Sequence, residues 1–276
     1  MDKDKSTWAG RLANGILDLV YPPGLYCICC GKITDDSRTY RLCNACMKSM
    51  NRITGRHCSK CGRPLSDNDP GDLCFGCAQR AASGREFSFD KGHACAGYGT
   101  CEQSVIFALK YGGHADIGDT LGEVLYDRML SEYDPYELTG MYDMVTPVPV
   151  HMEKAGTRGF NQADLIGRGF AKRAGLNYDA NILVRTRRTL PMKGLGPAER
   201  TENIRGAFEV RKRKLPLIEG ARILLIDDIF TTGATIDEIA GILKDPWNDD
   251  EDRMHNGAAR VDFLAFAGGA DIIVPA

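Results

Sequence analysis

The sequence predicts an α/β fold, a mostly parallel sheet with helices on both faces, preceded by a small cysteine-rich module. Three observations predict it. Apolar runs of strand length alternate with helical patterns through roughly the last two thirds of the chain. One of these runs, Ile223 to Ile226, leads straight into Asp227 and Asp228 and then into a Thr- and Gly-rich turn that opens a helix. Nine of the eleven cysteines lie between Cys27 and Cys77, ahead of all such runs.

The chain has 276 residues, enough for one large or two modest domains. Its 43% hydrophobic and 26% charged residues are those of an ordinary globular protein, and a net charge of −2 argues against a chain built as a whole to bind polyanions. Asn14 and Asp18 interrupt the apolar positions near the N-terminus, so the first 25 residues do not read as a signal peptide. No apolar run is long enough to span a bilayer. A soluble, cytoplasmic protein is the expectation. In a chain of this kind, clustered cysteines point to metal-bound thiolates rather than disulfides.

Residues 1–24 read as a short amphipathic helix. Trp8, Leu12, Ile16, Leu19 and Val20 recur at helical spacing, Ser6 or Thr7 can cap it, and Pro22-Pro23 stops it. Residues 25–80 contain four C-x2-C pairs: Cys27/Cys30, Cys43/Cys46, Cys58/Cys61 and Cys74/Cys77. Gly31 and Gly62 follow the first and third, and the whole pattern repeats after 31 residues. Two thiolates on a Gly-tipped turn can take two corners of a tetrahedron, and a second turn supplies the other two. The module therefore resembles a double zinc ribbon holding two structural Zn ions. One ion per repeat is the simplest ligation; sharing of pairs between repeats is the alternative. Cys29 reads as a bystander, and Cys95 and Cys101 as small core residues. Ten Lys/Arg against seven Asp/Glu between Cys27 and Asp90 give only a mild basic bias, compatible with docking to protein or nucleic acid.

A linker over 78–92 leads into the α/β domain, 92–276. A strand is expected at 93–100, then helices at 102–111, ending at Gly112-Gly113, and at 115–131. Asp143 to Val150 is a short apolar strand ended by Pro147 and Pro149. Gln162 to Ala174 is helical by period and closed by Gly175. Strands follow at 182–185, 207–210, 222–226 and 261–266, with a helix at about 235–244 and an acidic surface insertion at 245–256. Residues 186–206 show no apolar period and read as a long mobile loop. From Arg185 to Lys214 there are ten Lys/Arg against three Asp/Glu, which suits a lid bringing positive charge over a pyrophosphate.

The stretch from Ile223 to Thr235 carries the chemistry. Ligands of open α/β sheets bind beyond the carboxyl ends of the strands, where Asp227 and Asp228 fall. The turn Thr231-Thr232-Gly233-Ala234-Thr235 offers hydroxyls and free helix N–H groups, an anion site most naturally filled by phosphate. Carboxylates beside it suit sugar hydroxyls and a phosphate-bound Mg²⁺.

This stretch resembles the PRPP-binding motif of type I phosphoribosyltransferases. Together with the cysteine repeat, Val148-Pro149-Val150-His151, Arg158-Gly159-Phe160-Asn161-Gln162, and Arg200 with Asn203, it makes the chain similar to the ComF family. The resemblance implies a type I phosphoribosyltransferase-like domain that binds PRPP or another ribose-5-phosphate ligand with Mg. Thr231 to Thr235 would hold the 5′-phosphate. Asp227 and Asp228 would hold ribose hydroxyls and stabilise charge at the anomeric carbon. The pyrophosphate loop maps to Val148 through His151, with Arg158 and Arg200 as charge partners. One departure stands out: Met192 occupies a position where the family often carries Gln, and a thioether cannot make the same hydrogen bonds. No general base is evident. The resemblance also implies a role in DNA uptake during natural competence, beside single-stranded DNA and a helicase-type partner. The competing expectation is a non-catalytic zinc-ribbon adaptor for those same partners, although Tyr26, Tyr40 and Phe75 are the only aromatic platforms between Cys27's flank and Cys77.

Overall fold

A buried strand satisfies its backbone only through its neighbours, so the apolar runs must pair with one another. The computed structural model describes residues 25–34, 39–111, 115–150, 160–190, 194–246 and 256–269. The helix expected at 1–24, Gly112-Gly113, His151, Arg158, Met192 and most of the acidic 245–256 segment lie outside these residues.

The strands are β1 (Gly92–Gly97), β2 (Met144–Pro147), β3 (Leu183–Arg185), β4 (Phe208–Val210), β5 (Arg222–Phe230) and β6 (Arg260–Gly268). Four of them form a parallel sheet in the order β1-β6-β5-β2, while β3 and β4 form a separate antiparallel pair. The register sets Ile226 opposite both Leu264 and Pro147. The helices are α1 (Asn44–Ser49), α2 (Phe75–Ala82), α3 (Thr100–Tyr111), α4 (Ile117–Leu130), α5 (Pro135–Met141), α6 (Gln162–Ala174), α7 (Pro197–Ile204), α8 (Leu215–Ile218) and α9 (Ala234–Lys244).

Successive strand side chains point to opposite faces, and the core divides accordingly. Leu224, Ile226, Leu264 and Phe266 face α3, α4 and α6. Ile223, Leu225, Val261 and Phe263 face α9 and the β3–β4 unit. The expected α/β class, with helices on both faces, is the observed one. On the first face α4 and α6 approach closely, because a Cβ at Gly122 would sit 2.6 Å from the backbone nitrogen of Phe170. Asn161 caps α6 by accepting from the Ala163 N–H at 3.1 Å, and Gly175 ends it at φ 66.

The cysteine-rich segment packs on the domain on both sides of the sheet. Cys27, Tyr40, Leu42, Cys46 and Met50 join the α4 face, while Cys58, Cys61, Cys74 and Cys77 join the α9 face. The stretch between the repeats covers the outer edge of β1: Ile53 N–H donates to Cys95 O at 3.0 Å, and Gly97 N–H donates to Asn51 O at 2.8 Å. A free strand edge is a site for unwanted pairing, and this contact closes it. Residues 78–92 differ from the expected linker. α2 continues to Ala82, and Phe87 and Phe89 are buried, with Phe89 edge-on to Phe263 at 4.9 Å. Among the described residues, no helix is long and apolar enough to cross a membrane.

Candidate functional site

The site begins where β5 ends. Ile223 to Ile226 are fully buried, so the strand delivers Asp227 and Asp228 to the carboxyl rim of the sheet with no freedom to slip. The Asp228 N–H donates to Asp227 Oδ1 at 2.8 Å. Burial, and then the neighbouring Asp228 carboxylate, push the Asp227 pKa well above the usual carboxylate value. Lys110, near the end of α3, forms an ion pair with Asp228. Sequence reasoning missed this lysine; its place in a helix far from the motif gave no signal.

Beyond the acids the chain turns through Thr231 and Thr232 to Gly233, which adopts φ 82 and serves as the N-cap of α9. A side chain there would also collide with Phe87, since a Cβ would lie 2.8 Å from its ring. The turn and the first α9 residues, Ala234 and Thr235, therefore present N–H groups that have no intrahelical partner. Arg200, Asp227, Ile229, Phe230 and residues 231–236 line one shallow cleft. The Nε of Arg200 is buried with no hydrogen-bond partner among the described residues. Arg185 also feels this site. Burial lowers its guanidinium pKa, and the charge of Asp227 opposes that shift.

Arg200 arrives on a helix, which corrects the expectation of a structureless 186–206 loop. α7 starts with a proline at its first turn, and Glu199 accepts from the Gly196 N–H at 2.7 Å. Among the described side chains of α7 only Ile204 is fully buried, so no apolar period announces the helix. Arg187 donates to the carbonyls of Asn203 and Arg205, at 3.1 and 2.6 Å, and Asn203 bonds Leu190 at both its amide atoms. The Gly206 N–H donates to Glu238 of α9 at 2.6 Å, so the basic segment is docked beside the helix that the turn opens.

Val148, Pro149 and Val150 lie beyond β2, next to the acids. Val148 N–H donates to Ile226 O at 2.9 Å, and Val148 O accepts from Asn161 Nδ2 at 3.0 Å. Asn161 thus caps α6 and holds this loop together. His151 and Arg158 lie outside the described residues.

The cysteines form two clusters, Cys27/Cys30/Cys43/Cys46 and Cys58/Cys61/Cys74/Cys77, with all ligand sulfurs in each within 4.8 Å of one another. Each repeat therefore builds its own site, and pairs are not shared between repeats. Tetrahedral zinc with Zn–S distances of about 2.3 Å needs sulfurs about 3.8 Å apart. Cys30 and Cys43 stand 3.8 Å apart, and Cys61 and Cys74 stand 3.7 Å apart, so the donor set fits zinc. Cys95 and Cys101 are buried core residues, and burial pushes both thiols up to about 12.

The double zinc ribbon domain family matches residues 16–78. Competence protein F of Haemophilus influenzae is 28% identical over 205 residues, 74% of this chain and 84% of that protein. The DNA utilization protein YhgH of Escherichia coli is 27% identical over 222 residues, 80% of this chain and 87% of that one. Competence protein ComFC of Bacillus subtilis is 24% identical over 199 residues, 71% of this chain and 75% of that one. Among solved structures, one described as the allosteric regulatory enzyme of purine biosynthesis aligns with a TM-score of 0.31 at 22% identity, over 55% of this chain and 25% of that chain. The three relatives, at 24–28% identity, each match more than two thirds of this chain, which joins two four-cysteine sites to an α/β domain, and the chain is similar to them over that span.

Proposed function

We propose that the cleft at the end of β5 binds PRPP or a closely similar phosphorylated ribose together with Mg²⁺. The observation that carries this reading is the meeting of three groups in one cleft: the Thr231–Thr235 turn, Asp227, and Arg200 with its unpartnered Nε. In this reading Thr231, Thr232 and the N–H groups through Thr235 hold the 5′-phosphate. Asp227 and Asp228 accept from the ribose hydroxyls, and their negative field favours positive charge at the anomeric carbon. Val148 to Val150, with His151 and Arg158, would border the pyrophosphate, and Arg200 would meet its charge. Bound Mg²⁺ would neutralise phosphate oxygens, and the oxygen donors of the acids suit it. No described side chain stands out as a base, so the proposal is one of binding.

The names of the relatives supply the setting. Two are competence proteins and one is a DNA utilization protein, which supports a role for this chain in DNA uptake; a cytoplasmic place beside single-stranded DNA or a helicase-type partner is the further part of this proposal. The pure adaptor reading is weaker. Of the ribbon aromatics, Tyr40 is buried and its hydroxyl donates to Asp127 at 2.6 Å, which leaves only Tyr26 and Phe75 exposed for stacking. Titration calorimetry with PRPP and Mg²⁺ tests the main reading. Binding should be seen with the wild type and abolished by Asp228→Ala with Thr232→Ala. An absence of heat with the wild type, at concentrations well above micromolar, would sink it.

A further inference from the structure

The two ribbon repeats are alike in backbone and unlike in what they touch. Cys27 N–H donates to Lys32 O at 2.7 Å, and Cys58 N–H donates to Arg63 O at 2.8 Å. Gly31 and Gly62 have φ 72 and 71. Lys32 and Arg63 are thus equivalent positions, one residue past each glycine. Lys32 is exposed, whereas Arg63 is 5% exposed. The Arg63 guanidinium donates to Gly269 O at 2.9 Å and lies over the Phe230 ring, 5.1 Å from its centre. Gly269 N–H in turn donates to Phe230 O at 2.8 Å. Arg63, two residues past the zinc ligand Cys61, therefore grips the strand ends from which the anion turn departs.

The same repeat reaches that turn by a second route. Arg80, on α2 just past Cys77, donates to Asp237 Oδ2 in the first turn of α9 at 2.7 Å. The Ser88 N–H donates to Asp237 Oδ1, also at 2.7 Å. The Arg80 guanidinium lies 3.9 Å from the centre of the Phe87 ring, and that ring fills the space a side chain at Gly233 would need. A thiolate–metal bond fixes the backbone around its ligands far more tightly than packing of so small a module can. Arg63 and Arg80 transmit that fixity to the two ends of the turn. Among the described residues the first repeat makes no such link to the turn. It lies on the other face of the sheet, where Tyr40 meets α4.

We propose that the second four-cysteine site is a positioning device for the anion turn, acting through Arg63 and the Arg80–Asp237 pair, so that ligand affinity there depends on zinc in that repeat. The identity of the ligand rests on the reading above; the coupling between Arg63 and the turn does not. Preorganised donors bind an anion without first being ordered, and a turn released from its anchors must be ordered at binding.

The test uses the full-length, zinc-loaded protein. Arg63→Met keeps the aliphatic stem on Phe230 and removes the guanidinium. It should retain two zinc ions by metal analysis, exchange the amide hydrogens of residues 230–237 at least tenfold faster than the wild type, and bind PRPP with Mg²⁺ at least tenfold more weakly. Arg63→Lys should recover part of both losses. Lys32→Met, at the equivalent place in the first repeat, should change neither. Wild-type exchange and affinity in Arg63→Met would overturn the proposal, as would equal losses in Lys32→Met. Loss of zinc from Arg63→Met would also overturn it, because Arg63 would then serve the metal rather than the turn; Arg80→Met must show the same faster exchange, and failure to do so counts against it equally. If the wild type binds no PRPP, the ligand reading fails, and amide exchange still decides the coupling.

Discussion

Lys110 on α3 and Asp228 at the end of β5 form an ion pair across the rim of the sheet. α3 follows β1, an outer strand, and β6 lies between β1 and β5, so the helix must cross the carboxyl ends of the strands to make the pair. The buried face of α3, Cys101, Val105, Ile106 and Leu109, holds it there. The pair sets the charge of the site. Two adjacent carboxylates repel, and Lys110 offsets one of them. Lys110→Met should cost about 1–3 kcal/mol of stability, because it leaves Asp228 unpaired beside Asp227. Asp228→Asn should remove most of that cost when added to Lys110→Met. A double-mutant cycle by urea unfolding checks this, and strictly additive effects would show that the two side chains do not interact.

Asp227 gives a pH signature. Its pKa is raised by burial and by Asp228, so its folded value lies above its unfolded value. Such a group stabilises the fold fully below the unfolded pKa, and that stability is lost as pH rises through the folded value. The charged form of Asp227 is therefore the one the fold disfavours. Asp227→Asn should raise stability near pH 7 by about 0.5–2 kcal/mol, a typical gain when a strained site residue is neutralised. The gain should shrink as pH falls towards 4, where the wild-type carboxyl is itself protonated. Thermal unfolding from pH 4 to 8 measures it, and a gain independent of pH would contradict the raised pKa. PRPP binding should fall in the same variant.

The parallel strands were readable because strands buried on both faces are continuous apolar runs. The zinc sites were readable because ligation demands fixed spacing, and repetition after 31 residues left little choice of partner. What could not be read was contact at long range. Arg63 meets Gly269 across 206 residues, and neither residue stands in a recognisable motif. Lys110 was hidden in the same way. α5 is a different case. Asp134 accepts from the N–H groups of Tyr136 and Glu137 at 2.8 and 2.9 Å, a capping box with Pro135 behind it, and those residues announce a helix start. That signal is local, but only Leu138 of the helix is buried, so no apolar period accompanies it. α7 escaped for a similar reason: short helices held by caps and side-chain bonds leave no periodic trace.

Zinc removal should unfold more than the ribbon. Both four-cysteine clusters contribute residues to the cores beneath the sheet, with Cys27 and Cys46 on one face and Cys61 and Cys77 on the other. Metal analysis should return about two Zn per chain. Chelation at 37 °C should then lower the melting temperature of the whole chain in one transition rather than release the ribbon separately. Two well-separated calorimetric transitions would show that the ribbon folds apart from the α/β domain.

Gly233 combines two constraints that a mutation series can separate. Its φ of 82 lies in the left-handed region, where a Cβ costs about 1–2 kcal/mol. Its Cβ would also stand 2.8 Å from the Phe87 ring and 3.1 Å from the Phe230 ring, a steric cost added to the torsional one. Gly233→Ala should therefore destabilise by about 2–4 kcal/mol, the torsional cost plus an overpacking cost of about 1–2 kcal/mol. In a Phe87→Leu background the smaller side chain relieves the closest contact, and the same substitution should cost less, keeping the torsional part and the approach to Phe230. A cost that is equal in the two backgrounds would show that Phe87 does not press on the turn. Because Phe87 also stacks on Phe89 at 4.7 Å, the Phe87→Leu background will be less stable on its own. The comparison must therefore be made between the two Gly233→Ala differences, not between the variants themselves.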